Sequence, residues 1–275
     1  MPFKSICAGA LLATLSLPVL ADNFIYGDSA SGGTPYISKI DKTTGAVVAT
    51  YNNLAGGING RGVVVVGNTL YYTAASSGNV FKYDLSTSTD LGVAFSVAGA
   101  SALATIAYDG SNFWISNYSG TNQAYLYTPT GTLLKTLNMS LCSANCDGLE
   151  FFKQGGQGFL IENRGDGQGP YDVYDLNGNV VHANLLPGTG FTTGIAFDGT
   201  HFFTSTPNAV SLSEWNVDGS FVQTIALTGG NPRPLIEDLS ADYSQTLGIP
   251  EPASVTMLGI GMFGIAAALR RRLRA

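Results

Sequence analysis

Basic residues are scarce where most of this chain lies. Between residues 22 and 249 there are 8 Lys+Arg against 18 Asp+Glu, a net charge of −10. A domain of that sign is repelled by phosphate backbones and by anionic lipid, which excludes nucleic acid as a partner. Charge of either sign is thin, at 12% of residues, while hydrophobic residues make up 45%. That balance excludes a disordered chain. The 35 glycines follow no Gly-X-Y period, which excludes collagen. No stretch of 22–249 sustains a 3.6-residue apolar period, so no substantial helix is expected there. Only two histidines occur, His182 and His201, and no cofactor motif stands in a credible context.

The ends differ from the middle. Lys4, the apolar stretch Ile6 to Leu17, the breaker Pro18 and the small-residue site Val19-Leu20-Ala21 read as a secretory signal over 1–21. At the other end, Pro250-Glu251-Pro252 precedes 17 uncharged residues, Ala253 to Leu269, and then Arg270, Arg271, Arg272 and Arg274. As a helix, 253–269 would span about 25 Å. Snorkelling arginines make up the shortfall against a bilayer core, and the positive-inside rule puts 270–275 in the cytoplasm. Gly259-Ile260-Gly261-Met262-Phe263-Gly264 matches a dinucleotide fingerprint by letter only, since it lies within this apolar tail.

This tripartite end resembles the PEP-CTERM sorting signal of Gram-negative bacteria, over Ile249 to Ala275. The resemblance implies that an exosortase recognises Pro250, Glu251 and Pro252. It also implies an exported protein, anchored in the inner membrane facing the periplasm and then moved to the cell surface or matrix. Such signals keep company with exopolysaccharide. They do not say what the exported domain does.

The middle repeats. GVVVVGNTLYYT (62–73), TIAYDGSNFWIS (105–116), the longer GLEFFKQGGQGFLIEN (148–163) and GIAFDGTHFFTS (194–205) are the same hairpin, with starts separated by 43, 43 and 46 residues. A second hairpin type is marked by Ile40, Tyr83, Tyr127, Tyr174 and Trp215, at separations of 43, 44, 47 and 41. Four of these reach a turn glycine, at Gly45, Gly131, Gly178 and Gly219; the Tyr83 copy has Ser/Thr instead. Four strands per period of this length belong to β-propeller blades. Asp238-Leu239-Ser240-Ala241-Asp242 aligns with Gly194 to Asp198, and Asn23 to Tyr26 has the character of a second strand.

The expected fold is therefore all-β: a five-bladed β-propeller over 22–243, closed by its C-terminal strand. A stem over 244–252 and a transmembrane helix over 253–269 follow. Tight turns then share one face and the longer links the other. The stem leaves from the tight-turn face, so the links point away from the membrane.

Candidate chemistry is sparse. Cys142 and Cys146 lie in one link and should pair as a disulfide in an exported protein. A metal is the alternative, but neither histidine is near. Asp147, Glu150, Glu237 and Asp238 sit at or near the starts of innermost strands, where carboxylates could converge as a glycosidase pair. No basic or histidine partner is visible for them. Gly27-Asp28-Ser29 and Asp198-x-x-His201 resemble esterase blocks, but the repeat already explains the second, and the ring puts Ser29 and His201 on opposite faces. Trp114, Trp215 and the many tyrosines could stack on sugar rings, but at alternating strand positions they suit inter-blade core. The function expected is a carbohydrate-binding or structural surface module. The alternative is a glycoside-active enzyme using the funnel carboxylates.

Overall fold

The computed structural model describes residues 23–243, apart from 30–35, 53, 57–59, 119, 143–145, 166–168, 189–191, 207–209 and 231–234. The expected signal (1–21), stem, apolar helix (253–269) and arginine cluster lie outside the described residues. Among the described residues no helix is long and apolar enough to cross a membrane.

Among the described residues, twenty strands form five four-stranded antiparallel sheets. The first sheet holds β1 (Phe24–Ser29), β2 (Ile37–Asp41) and β3 (Val47–Tyr51). The second runs β4 (Gly60–Val66), β5 (Thr69–Ala74), β6 (Asn79–Asp84) and β7 (Thr89–Ser96). The third runs β8 (Leu103–Tyr108), β9 (Phe113–Asn117), β10 (Gln123–Tyr127) and β11 (Leu133–Asn138). The fourth runs β12 (Asp147–Gln154), β13 (Gln157–Asn163), β14 (Tyr171–Asp175) and β15 (Val180–Leu186). The fifth runs β16 (Ile195–Phe197), β17 (His201–Ser205), β18 (Ser211–Asn216) and β19 (Phe221–Ala226). The last strand, β20 (Ile236–Ala241), returns to the first sheet and pairs with β1 through Ile25↔Ala241, Tyr26↔Ser240, Gly27↔Leu239 and Asp28↔Asp238. The ring is a five-bladed propeller closed as its repeat requires.

Burial follows position in the blade. Innermost strands are covered on both faces, as in β8 and β20; β8 reads as a mostly small and apolar run, whereas β20 buries Glu237 and Asp238 among its apolar residues. Outermost strands alternate or lie largely exposed, as in β3 and β11. The core is divided among the five seams, each with its own apolar cluster drawn from two neighbouring blades. Trp114 belongs to the seam of blades three and four, and Trp215 to that of four and five.

Side chains of the closing strand stitch it to the next blade. Asp238 Oδ2 accepts from Val63 N at 3.3 Å, Ser240 Oγ from Val65 N at 3.1 Å, and Asp242 Oδ1 from Gly67 N at 3.2 Å. Alternate residues of one strand thus satisfy alternate amides of a strand that has no sheet partner on that side. The described chain ends beside the tight turns: Asp242 reaches the β4–β5 turn, and the Tyr243 ring packs against Tyr108.

The second-hairpin glycines have a reason. Gly45, Gly131, Gly178 and Gly219 all have positive φ, and a Cβ at Gly45 or Gly219 would strike the carbonyl of Ala226 or Leu185 on the preceding blade. The turn of blade two, which lacks the glycine, puts Ser88 at φ 52° instead. The aspartates opening the turns are used locally: Asp41 Oδ1 accepts from Thr43 N and Thr44 N, and Asp175 Oδ1 from Asn177 N and Asn179 N. Much of the acidic excess is therefore turn chemistry.

Outer edges are handled by kinks. The pairing of the outermost strand is interrupted by a register shift in every blade. Such bulges spoil a flat template for edge-to-edge pairing, which matters here because the rim exposes Val48, Leu91, Leu134, Val181 and Phe221.

Candidate functional site

The repeat supplies five equivalent positions at the start of the innermost strands: Arg61, Ala104, Asp147, Thr193 and Glu237. Four of these strands carry a register shift here, between Gly60 and Val63, Leu103 and Ile106, Asp147 and Leu149, and opposite Asp28 and Ser29. A bulge re-aims the side chain beside it. Three of the five side chains meet: Arg61 Nη1 lies 2.7 Å from Glu237 Oε1 and 3.7 Å from Asp147 Oδ2. The guanidinium also covers the Tyr118 ring at 4.3 Å. Arg61 is the basic partner that the sequence reading lacked. Burial first, and then Asp147, push the Glu237 carboxyl up to about 7, against the pull of Arg61. This group marks the mouth of the ring on the long-link face.

Beneath the mouth the ring is closed. The next repeat positions are Gly62, Thr105, Gly148, Gly194 and Asp238. A Cβ at Gly62 would sit 2.7 Å from Thr105 Cα, and one at Gly194 would sit 2.8 Å from Asp238 Cα. Asp238 fills the remaining space. Its carboxylate accepts from Thr105 Oγ1 at 2.9 Å, from Val63 N, and from Ile195 N at 3.4 Å. It therefore joins strands of blades two, three and five. Glu150, two residues further along β12, accepts from Phe151 N at 2.6 Å, from Phe197 N at 3.2 Å, and from the Tyr243 hydroxyl. Burial raises both carboxyls well above the usual range. Asp28 faces Asp238 across the β1–β20 pair, fully buried, and neither of its oxygens has a hydrogen-bond partner among the described residues. Burial and then Asp238 raise it likewise.

The Cys142–Cys146 disulfide is present, with Cα atoms 5.5 Å apart, in the link entering β12. Ser116 Oγ donates to the Cys146 carbonyl at 3.0 Å and ties that link to blade three. Ser29 lies at the link end of β1, whereas His201 begins β17 at a tight turn. Asp198 holds Lys42 at 2.6 Å across the seam of blades five and one, and His201 Nδ1 is 3.5 Å from Glu214 within blade five, so the esterase-like letters serve local packing.

One cleft stands out in chemistry. It has a volume of about 410 Å³ and lies between blades two and three, lined by Val97, Asn117, Thr121, Tyr125, Tyr127 and Leu133. Tyr127 is buried and Tyr125 is half-buried, its hydroxyl bonded to Gln123 at 2.9 Å. The sequence reading assigned the tyrosines to the core as a class. The signal missed was that Tyr125 sits beside the Thr121 link, where the ring edge reaches the surface.

A family model of the PEP-CTERM protein-sorting motif matches residues 248–272. The motif implies an exported protein recognised and processed by an exosortase. No curated protein matches the chain. Among solved structures, a chain of a nidogen/laminin complex is similar at 11% identity and TM-score 0.57, covering 80% of this chain and 99% of its own. A protein of unknown function from Bacteroides caccae is similar at 13% identity and TM-score 0.51, covering 81% and 100%. At such identities the likeness is one of fold.

Proposed function

We propose that this chain is an exported surface or matrix protein that binds polysaccharide on its propeller without catalysis. The observation that carries the reading is the cleft between blades two and three. Its lining is largely apolar and aromatic, with Asn117 and Thr121 as polar side chains among it. A pyranose has an apolar face and a hydroxylated rim, and such sites combine a ring platform with a few placed polar groups. The sorting segment supports the same reading, because the described chain ends on the tight-turn face. An anchor at 253–269 would then leave the link-side wall of the cleft pointing outward.

The test is calorimetric titration of the full-length protein with fragments of its host's exopolysaccharide. Tyr125→Ala should weaken binding at least tenfold, and Arg61→Ala should leave it unchanged. No heat from any fragment, or equal binding by Tyr125→Ala, would overturn the cleft as the site.

The glycoside-active reading rests on one observation, the Glu237 carboxyl at about 7 beside Asp147. Their nearest oxygens share Arg61 Nη1, so they are no farther apart than the sum of those two contacts. That admits the separation of about 5 Å used by retaining glycosidases. In this reading Glu237 is the acid and Asp147 its partner, while Glu150 and Asp238 stay closed by their backbone bonds. Sugar release abolished in Glu237→Gln would support it; no release by the wild type would end it.

A further inference from the structure

The link disulfide has a neighbour that a purely mechanical staple would not need. Glu162, on β13, is fully buried, and a carboxylate oxygen of it lies within 4.8 Å of the sulfurs of both Cys142 and Cys146. Its Oε1 accepts from the Tyr174 hydroxyl at 3.2 Å, while its Oε2 has no hydrogen-bond partner among the described residues. Tyr174 in turn accepts from Leu141 N at 3.0 Å, which holds the phenol against the link. The sulfurs lie in an apolar cluster with Trp114, Met139, Leu149 and Leu160, while across the β13–β14 pair Glu162 faces the buried Asp172, whose charge is met by Arg164. A buried carboxylate oxygen without a partner is costly unless a proton or a cation joins it, and burial and Asp172 raise Glu162 well above the usual carboxylate range.

We propose that Cys142, Cys146 and Glu162 form a redox-gated site for a thiophilic divalent cation of the zinc type, vacant while the disulfide stands and filled once it is reduced. Two sulfurs and one carboxylate oxygen are a zinc donor set, and three protein ligands leave a fourth position open. Tetrahedral zinc with bonds near 2.3 Å needs its sulfurs about 3.8 Å apart. The sulfurs, bonded to each other in the disulfide, must separate to that distance on reduction, and the Glu162 oxygen already lies within 4.8 Å of both. The gating step balances with a dithiol as reductant. The Cys142–Cys146 bond takes up two electrons and breaks, each sulfur gains a proton, and the dithiol leaves as its own disulfide. The incoming ion then displaces the two thiol protons. A third ligand from β13 ties the link to the blade, so the metal form would fix the same link that the disulfide fixes under oxidising conditions.

The test uses the full-length protein, reduced without oxygen and freed of reductant, then titrated with cobalt(II) as a spectroscopic stand-in and competed with zinc. One equivalent should give near-ultraviolet sulfur-to-cobalt charge transfer that zinc removes, and the oxidised protein should give none. Glu162→Gln should keep the disulfide and the near-ultraviolet circular dichroism of the fold while weakening zinc at least tenfold. Should that variant fail to fold, Glu162→Asp decides, since a retained carboxylate should retain measurable binding. A reduced wild type that binds no better than Cys142→Ser/Cys146→Ser would overturn the proposal. So would a Glu162→Gln protein that binds zinc as tightly as the wild type, or a Glu162→Asp protein that binds it no better than the serine double variant.

Discussion

The Thr105 hydroxyl donates to Asp238 Oδ2 at 2.9 Å, although 133 residues separate them. Thr105 belongs to an innermost strand of blade three and Asp238 to the strand that closes blade one. The same carboxylate accepts amides from blades two and five. One side chain thus reports whether the ring is shut. Asp238→Ala would leave these donors buried and unpaired, at roughly 3 kcal/mol or more. Asp238→Asn, which keeps the shape and part of the bonding, should cost markedly less. Denaturant unfolding of the two variants checks the order; equal losses would mean the carboxyl contributes only its volume.

Ending the chain at Ile236 removes nearly all of β20, and β1 loses its inner partner. The apolar edge so exposed should make the product aggregate, or melt well below a chain ending at Ile249. Thermal melts with light scattering would show it, and an unchanged midpoint would contradict the closure.

Stability should fall as pH rises from acid to alkaline. Burial holds Asp28, Glu150 and Asp238 above the usual carboxylate range, so the native state binds more protons than the unfolded chain. Their contribution is complete below about pH 4 and is lost as pH climbs towards their native values, at up to about 1.4 kcal/mol per pH unit and group. For Glu237 the window runs from 4.5 to about 7. The exposed turn aspartates Asp41, Asp84, Asp175 and Asp218 are lowered by local hydrogen bonds and act oppositely, losing their support as pH falls. Asp28→Asn keeps the shape of the side chain and removes its titration. It should raise the melting point at pH 8 more than at pH 5, and equal shifts at both would count against a neutral carboxyl there.

Ser88 offers the plainest gain. At φ 52° a side chain pays roughly 1 kcal/mol that glycine does not. Ser88→Gly should raise the melting point by about 2–4 °C for a domain of this size. A fall would mean that the serine makes a bond worth more than the strain.

What the sequence made legible follows from what repeats locally. Hairpins such as 62–73 and 105–116 carry their own turn and their own alternation, so blade number, order and closure could be read from spacing alone. The seams could not, because they join strands far apart in the chain. Arg61 was visible only as a letter, because its strand start and those of Asp147 and Glu237 lie far apart in the chain, and it is the closed ring, with bulges at these strand starts, that brings the three together. Glu162 reads as one more strand residue until β13 is laid beside the link from β11, which is why a search for histidines near Cys142 overlooked it. Asp28, read as part of an esterase-like triplet, acquires its meaning only opposite Asp238.

The kinked rim has a consequence for crowding. A surface coat holds many copies at high density, and discs with five straight, greasy borders would fuse into sheets. Here each border is interrupted in all five blades, so copies held in such a coat would find no flat strand edge to pair on. Such a layer would stay laterally fluid, each disc free to turn about its own axis.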